Sequence, residues 1–384
     1  MVFKTLDRLC KSRYFRLCRP HRLARLRTPP FHGGNTGSNP VGDTFFIFDK
    51  SPKLNFFPAF GAQTPRLGFE QERKAMNLTR KALIWISENQ LLRQKLPRYR
   101  FVQRAVSRFM PGEKLEDALL AAEGMKAKKI ASLLTLLGEN IAEPEEAEKV
   151  AQHYIDGLPQ IHQRGLDGHI SVKLTQLGLD LGEEFCFQNL SAIVRRAKEF
   201  GNWVWIDMEQ SKYVDKTLSL YKRARKEYPK VGVCLQSYLY RTAKDIEDLL
   251  PLSPAIRLVK GAYAEPVTLA YPKKKDVDAN YLTLAKVLLA NVKKQGVTVG
   301  IATHDTVLIR KVQQEAEALG LAKTDYEFQL LYGIQSEEQR RLAEAGHRVR
   351  CLISYGSFWF PWYVRRLAER PANILFAVKQ LFRN

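Results

Sequence analysis

Lys173, Asp207, Gln236, Arg257, Lys260, the run Thr303-His304-Asp305 and Gln329 are spread along the chain from residue 173 onward, each within or at the end of a short apolar run. Cations, carboxylates and amides that recur at run ends are what a site assembled from several loops requires. Taken singly, each is better explained by a salt bridge or a helix cap in the following loop. Six successive runs carrying such groups exceed what the satisfaction of a few loop atoms demands. A second feature lies near the end of the chain, where Arg365 and Arg366 follow Trp359-Phe360-Pro361-Trp362-Tyr363-Val364. Pro361 suits a helix start, and Glu369 falls four and three residues beyond the two arginines, on the same helical side, where it can hold a guanidinium. The competing explanation is a solvated surface pair. The flanking aromatics argue instead for a packed helix, and two arginines there call for an anionic partner, for which a small carboxylate matches the guanidinium fork.

These groups need elements to position them. Short apolar or β-branched runs recur at Ile130–Leu137, His169–Leu174, Trp203–Met208, Val231–Leu239, Ile256–Lys260, Val297–Thr303, Glu327–Tyr332 and Val349–Ser354, each followed by an amphipathic stretch of helical length. Eight strands alternating with helices over about 240 residues predict an α/β fold of the (β/α)8 type, a TIM-like barrel, with functional groups at the strand ends. A doubly wound sheet is the main competitor. No GxGxxG turn follows the first run, so a dinucleotide held in the Rossmann manner is not expected. The division predicted is a helical segment over 76–128, broken once at Pro111-Gly112, and a barrel with a C-terminal helix over 129–384.

The 384 residues are 45% hydrophobic and 26% charged, which excludes wholesale disorder and fibrous repeats. No apolar run reaches the length of a membrane-spanning helix. Cys10, Cys18, Cys186, Cys234 and Cys351 are scattered without a CxxC pair, so no metal is expected and free thiols in a reducing compartment are. The net charge of +21 invites a nucleic-acid reading, yet no zinc, helix-turn-helix or RNP pattern accompanies it, and no nucleic-acid partner is expected. Of that charge, +9 sits in residues 1–75, which hold 14 basic and 5 acidic side chains. The stretch from Pro29 to Gly42 has no hydrophobic period, and the Arg-rich start looks like a transit peptide. Gly37-Ser38-Asn39-Pro40 matches a transfer-RNA T-arm read as codons. Residues 1–75 are therefore expected to be a non-native or disordered extension, with the protein proper opening at Met76.

Taken together the motifs closely resemble the proline dehydrogenases, in particular the bacterial monofunctional, FAD-dependent ones. The resemblance runs from about Leu78 to the chain end and rests on Ser171-Val172-Lys173, Ile206-Asp207-Met208-Glu209, Cys234-Leu235-Gln236-Ser237-Tyr238-Leu239, Arg257-Leu258-Val259-Lys260-Gly261-Ala262-Tyr263, Ala302-Thr303-His304-Asp305, Glu327-Phe328-Gln329-Leu330-Leu331-Tyr332-Gly333 and the Arg365-Arg366…Glu369 helix. It implies a flavin barrel that oxidises L-proline to Δ1-pyrroline-5-carboxylate, the first step of proline catabolism, and passes electrons to membrane quinone. Lys173, Arg365 and Arg366, with Glu369 beside them, would grip the proline carboxylate, Tyr263 and Leu331 would wall the ring, and Asp207 and Arg257 would be the catalytic polar pair. FAD contacts would come from Met208, Gln236, Arg257, Lys260, Gly261, Ala262, Thr303 and His304, with Gly261 allowing close backbone approach. The basic, apolar stretch from Ile374 to Arg383 would suit a helix lying at a lipid surface, which implies a cytoplasmic enzyme peripheral to the inner membrane; a helix that covers the barrel is the alternative.

One position departs from the family pattern. Aligned on Gly356 and Arg365, the family usually places a tyrosine at the pocket edge where this chain has Leu352. Tyr355 is an odd number of residues away, so on a strand it faces the opposite side. Leu352 is therefore expected to line the substrate pocket with a wall that offers no hydroxyl.

Overall fold

The computed structural model describes residues 106–359. The expectations for residues 1–75, for Arg365, Arg366 and Glu369, and for the C-terminal helix lie outside these residues, and so does the part of the 76–128 helical segment before 106. Within that segment, α1 spans Leu115–Lys126 and buries Ala118, Leu119 and Ala122.

Eight parallel strands close into a barrel in chain order. They are β1 Ala131–Leu136, β2 Gly168–Val172, β3 Val204–Ile206, β4 Val231–Gln236, β5 Ala255–Val259, β6 Thr298–Ile301, β7 Glu327–Leu331 and β8 Arg348–Tyr355. Ring closure is made by β1 on β8, with Leu133 opposite Leu352 and Thr135 opposite Ser354. The intervening helices are α2 Pro144–Gln163, α3 Glu183–Glu199, α4 Val214–Glu227, α5 Thr242–Leu249, α6 Lys274–Gln295, α7 Thr306–Ala318 and α8 Ser336–Glu344. All eight expected runs became strands, most of them shorter than the run. Val231–Leu239 ends as a strand at Gln236, and its apolar character continues because Tyr238 and Leu239 are buried beneath a loop that meets them at the Leu239–Ala270 bridge.

Each strand is covered on both faces, so hydrophobic residues occur on both. One set, including Leu134, Val172, Ile206, Val233, Leu258, Ile301, Phe328 and Ile353, packs with the helices into one large cluster. A separate small cluster, Leu133, Trp205 and Ala255 with Trp203 and Leu352 against it, fills the barrel interior. The strand-start end is closed by Arg350, which is fully buried and donates to Glu327 Oε1 at 2.8 Å and to Asp167 Oδ1 at 3.0 Å. On α2, Tyr154 staples two strands where they leave the sheet: its hydroxyl accepts from Leu136 N and donates to Ser171 O, both at 2.9 Å. The turn into α7 is set by Asp305, whose side chain caps Val307 N and Leu308 N.

Candidate active site

The strand C-terminal ends open into a cavity of about 470 Å³, within the range of small-molecule and cofactor sites. Every site residue expected from the sequence that falls within 106–359 lines it: Lys173, Asp207, Met208, Gln236, Arg257, Lys260, Gly261, Ala262, Tyr263, Thr303, His304, Leu331 and Leu352. Lys173, Asp207 and Lys260 lie one residue beyond their strands, while Arg257 is inside β5. A further cavity of about 320 Å³, bordered by Ser132, Asp167, Glu327 and Arg348, sits at the opposite, strand-start end and shares none of these groups.

Asp207 is the electrostatic centre. Its Oδ2 accepts from Lys173 Nζ at 2.9 Å, and its Oδ1 accepts from Ser171 Oγ at 2.7 Å and from Arg257 Nη2. Arg257 Nη2 also donates to Ser171 Oγ at 3.0 Å, and the guanidinium lies 5.6 Å from the Trp205 ring centroid. Burial by itself would raise the Asp207 pKa, but the adjacent Lys173 and Arg257 outweigh it and hold the carboxyl down at about 2. Burial likewise works against the charge on Lys173 and Arg257, and the Asp207 carboxylate keeps both pKa values raised. Two cations against one anion leave the trio with one positive charge, at low exposure.

On the other side of the cavity Lys260 pairs with Asp278 and, at 3.1 Å, with Asp305, and Lys274 bridges the same two carboxylates. His304 Nε2 accepts from Leu331 N at 2.9 Å, so its neutral ring carries the proton on Nδ1 and the loop after β6 is tied to β7. Gln236 donates from Nε2 to Met208 O and Glu209 O, both at 3.2 Å. The Tyr263 hydroxyl reaches Glu139 Oε1 at 3.4 Å. Burial pushes the Glu209 carboxyl up to about 7, against two hydrogen bonds from Thr175.

Two details alter the sequence reading. Gly261 has φ +120°, and a Cβ there would lie 2.2 Å from the Tyr238 ring. Glycine is thus demanded by its backbone conformation and by Tyr238, which occupies the place of a side chain, while Gly261 itself lines the cavity. Leu352 lines the cavity, whereas Tyr355 faces outward to α2 and places its hydroxyl 3.0 Å from His153 Nε2, so it does not replace the missing tyrosine. The sequence reading also left out Glu139, Thr135, Lys274 and Ser354, all of which line the cavity. Glu139 could have been found by applying the strand-end rule to the first run as well. Lys274 carried no such signal, because Lys273-Lys274-Lys275 reads as a solvated face.

The donor set fits a flavin. Gln236 and Gln329 both line the cavity with a buried Oε1 that has no partner, acceptors suited to a ring N–H, and Arg257 brings a buried cation.

A closed (β/α)8 barrel with a charged cavity at its strand C-terminal ends defines the class: a barrel enzyme whose chemistry is built from the loops. Residues 118–378 match the proline dehydrogenase family, and the chain belongs to it. As a member it is an enzyme of proline catabolism, acting at the first step. It is 35% identical to Proline dehydrogenase 1 of Bacillus subtilis subsp. natto over 306 residues, 80% of this chain and 100% of that protein. It is 38% identical to Proline dehydrogenase of Deinococcus radiodurans over 315 residues, 80% of this chain and 98% of that one. Among solved structures, proline utilization A from Bdellovibrio bacteriovorus, inactivated by N-propargylglycine, superposes with a TM-score of 0.68 at 24% identity. That match covers 79% of this chain and 37% of the longer protein, and it speaks to the fold.

Proposed function

We propose that the protein oxidises L-proline to Δ1-pyrroline-5-carboxylate with FAD as hydride acceptor, and that the electrons pass on to membrane quinone. The observation that carries this reading is the buried Lys173–Asp207–Arg257 trio, with its excess positive charge, at the mouth of the family's barrel. FAD, when bound, supplies a ring system that takes up the hydride from the carbon next to nitrogen. Lys173, joined by Arg365 and Arg366 from the chain that follows β8, holds the substrate carboxylate and so fixes which carbon is presented. Leu331, Leu352 and Tyr263 wall the ring and keep water from it.

Asp207, held near pKa 2, stays ionised at neutral pH and is therefore no base for the amine proton. Its work is to keep Lys173 and Arg257 in place. The amine proton leaves to water, and Arg257 would hold a buried positive charge beside the bound flavin, suited to an anionic reduced ring. No helix among the described residues is long and apolar enough to cross a membrane. Contact with a quinone pool, at the cytoplasmic face of the inner membrane, is assigned to the basic, apolar stretch near the C-terminus on its composition. The test is an anaerobic titration of the FAD-reconstituted protein with L-proline. Loss of flavin absorbance without added nicotinamide is expected, followed by recolouring when a soluble quinone is added; a requirement for NAD would refute the reading.

A further inference from the structure

Glu209 follows Asp207 by two residues and is only 4% exposed, yet it does not line the cavity. Both of its carboxylate oxygens are engaged by one residue: Thr175 donates its N–H to Oε2 at 3.1 Å and its hydroxyl to Oε1 at 2.5 Å. Thr175 in turn sits two residues beyond Lys173, inside the short 3-10 turn Leu174–Leu177 that begins at Lys173, and Gln176 N closes that turn on Lys173 O at 3.1 Å. The same threonine receives a third loop. Asn140 N donates to Thr175 Oγ1 at 3.1 Å and Ile141 N to Thr175 O at 3.2 Å, which places the neighbouring Glu139 in the cavity wall.

We infer that Glu209 is a positioning residue for substrate binding: through Thr175 it clips together the loops after β1, β2 and β3 and thereby sets where Lys173 and Glu139 stand. All three loops lie beyond the sheet hydrogen bonds, so the barrel can close without the clip while the charged side chains at its mouth depend on it. A buried carboxylate is costly unless its hydrogen bonds are made, and here one threonine makes two of them. The arrangement also explains why the Ile206-Asp207-Met208-Glu209 run carries two carboxylates. The first faces the cations of the cavity, and the second faces away from it and holds the loop from which one of those cations projects.

The inference rests on the proposed reaction, and the experiment separates the two. Glu209→Gln, Thr175→Val, their double variant and Thr175→Ser are assayed with L-proline in the full-length FAD-loaded enzyme, with Tm measured in parallel. Expected for Glu209→Gln and Thr175→Val is a KM raised roughly three- to tenfold, the effect of one displaced hydrogen-bonded contact, with kcat within about twofold. The double variant should be no worse than the poorer single one, because both changes break the same link. Thr175→Ser, which keeps the hydroxyl, should restore the wild-type KM. An unchanged KM in folded single variants, or additive losses in the double, would overturn the positioning role and leave the proposed reaction intact. If Glu209→Gln does not fold, Thr175→Val, which retains every backbone donor, decides alone. A wild-type enzyme that does not turn over L-proline would overturn the proposed function and, with it, the role of Glu209 in binding that substrate.

Discussion

Asp207 shows how much one carboxylate can depend on its neighbours. Its folded pKa of about 2 lies below the ordinary carboxylate value of 3.8, so its ionisation adds stability that is complete above pH 4 and is lost as pH falls toward 2. The contribution is about 2 kcal/mol by linkage. Asp207→Asn removes that pH dependence and strands Lys173 and Arg257, for which the expected cost at neutral pH is about 3–5 kcal/mol. Urea unfolding of both forms from pH 2 to 7 measures it: the wild-type and variant curves should converge toward the acid end, and parallel curves would mean that Asp207 is not tied to its partners. At Leu352 the effect is on selectivity instead. A leucine wall discriminates against an added ring hydroxyl by about 100-fold at most, so this enzyme should accept trans-4-hydroxy-L-proline better than tyrosine-bearing relatives while preferring L-proline. Leu352→Tyr should raise the kcat/KM ratio of L-proline to hydroxyproline. An identical ratio in the two forms would show that the side chain does not touch the ring.

At the scale of elements the strands act as rigid posts and the loops carry the function. The clearest case is the turn after β5, where Gly261 takes φ +120° and lets Tyr238 pack in the place of a side chain. Gly261→Ala should cost about 1–3 kcal/mol from backbone strain alone, and more from the ring clash. A Tm lower by several degrees is the expected reading in a thermal melt. Made in a Tyr238→Ala background, Gly261→Ala should cost less than in the wild type, by the part due to the clash, since only the strain remains. This turn was half legible from the chain: Arg257-Leu258-Val259-Lys260-Gly261 marked a strand end with an unusual glycine, but the ring that makes the glycine necessary belongs to the loop after β4. The overlong reading of the fourth run has the same origin. Tyr238 and Leu239 are apolar because a loop covers them, and hydrophobicity in sequence does not distinguish burial in a sheet from burial under a loop.

Over the whole molecule the cavity draws lining residues from all eight strands or the loops that follow them, so binding there reports on the closed barrel as a unit. FAD should therefore stabilise the native state against unfolding by about 2.7 kcal/mol when present at about 100 times its Kd. Thermal melts of flavin-free protein with increasing FAD should show Tm rising with concentration, and tryptophan fluorescence and flavin release should follow one transition because Trp203 and Trp205 lie inside the same barrel. A Tm that does not respond to FAD would separate the cavity from flavin binding.

Alternating apolar runs and helical stretches were sufficient for the barrel, since strand and helix periodicities are local properties of the chain and the strands here pair in chain order. The chemical types at the strand ends were legible for the same reason. What required the tertiary structure is which of these groups meet. Lys173 and Asp207 are 34 residues apart and Asp207 and Arg257 are 50 apart, and their pairing follows from barrel closure and from side chains that turn toward one another across loops. The Glu209–Thr175 clip, the outward turn of Tyr355 and the Tyr238 ring behind Gly261 are contacts of the same kind. Each depends on how distant segments pack, and local periodicity carries no record of that.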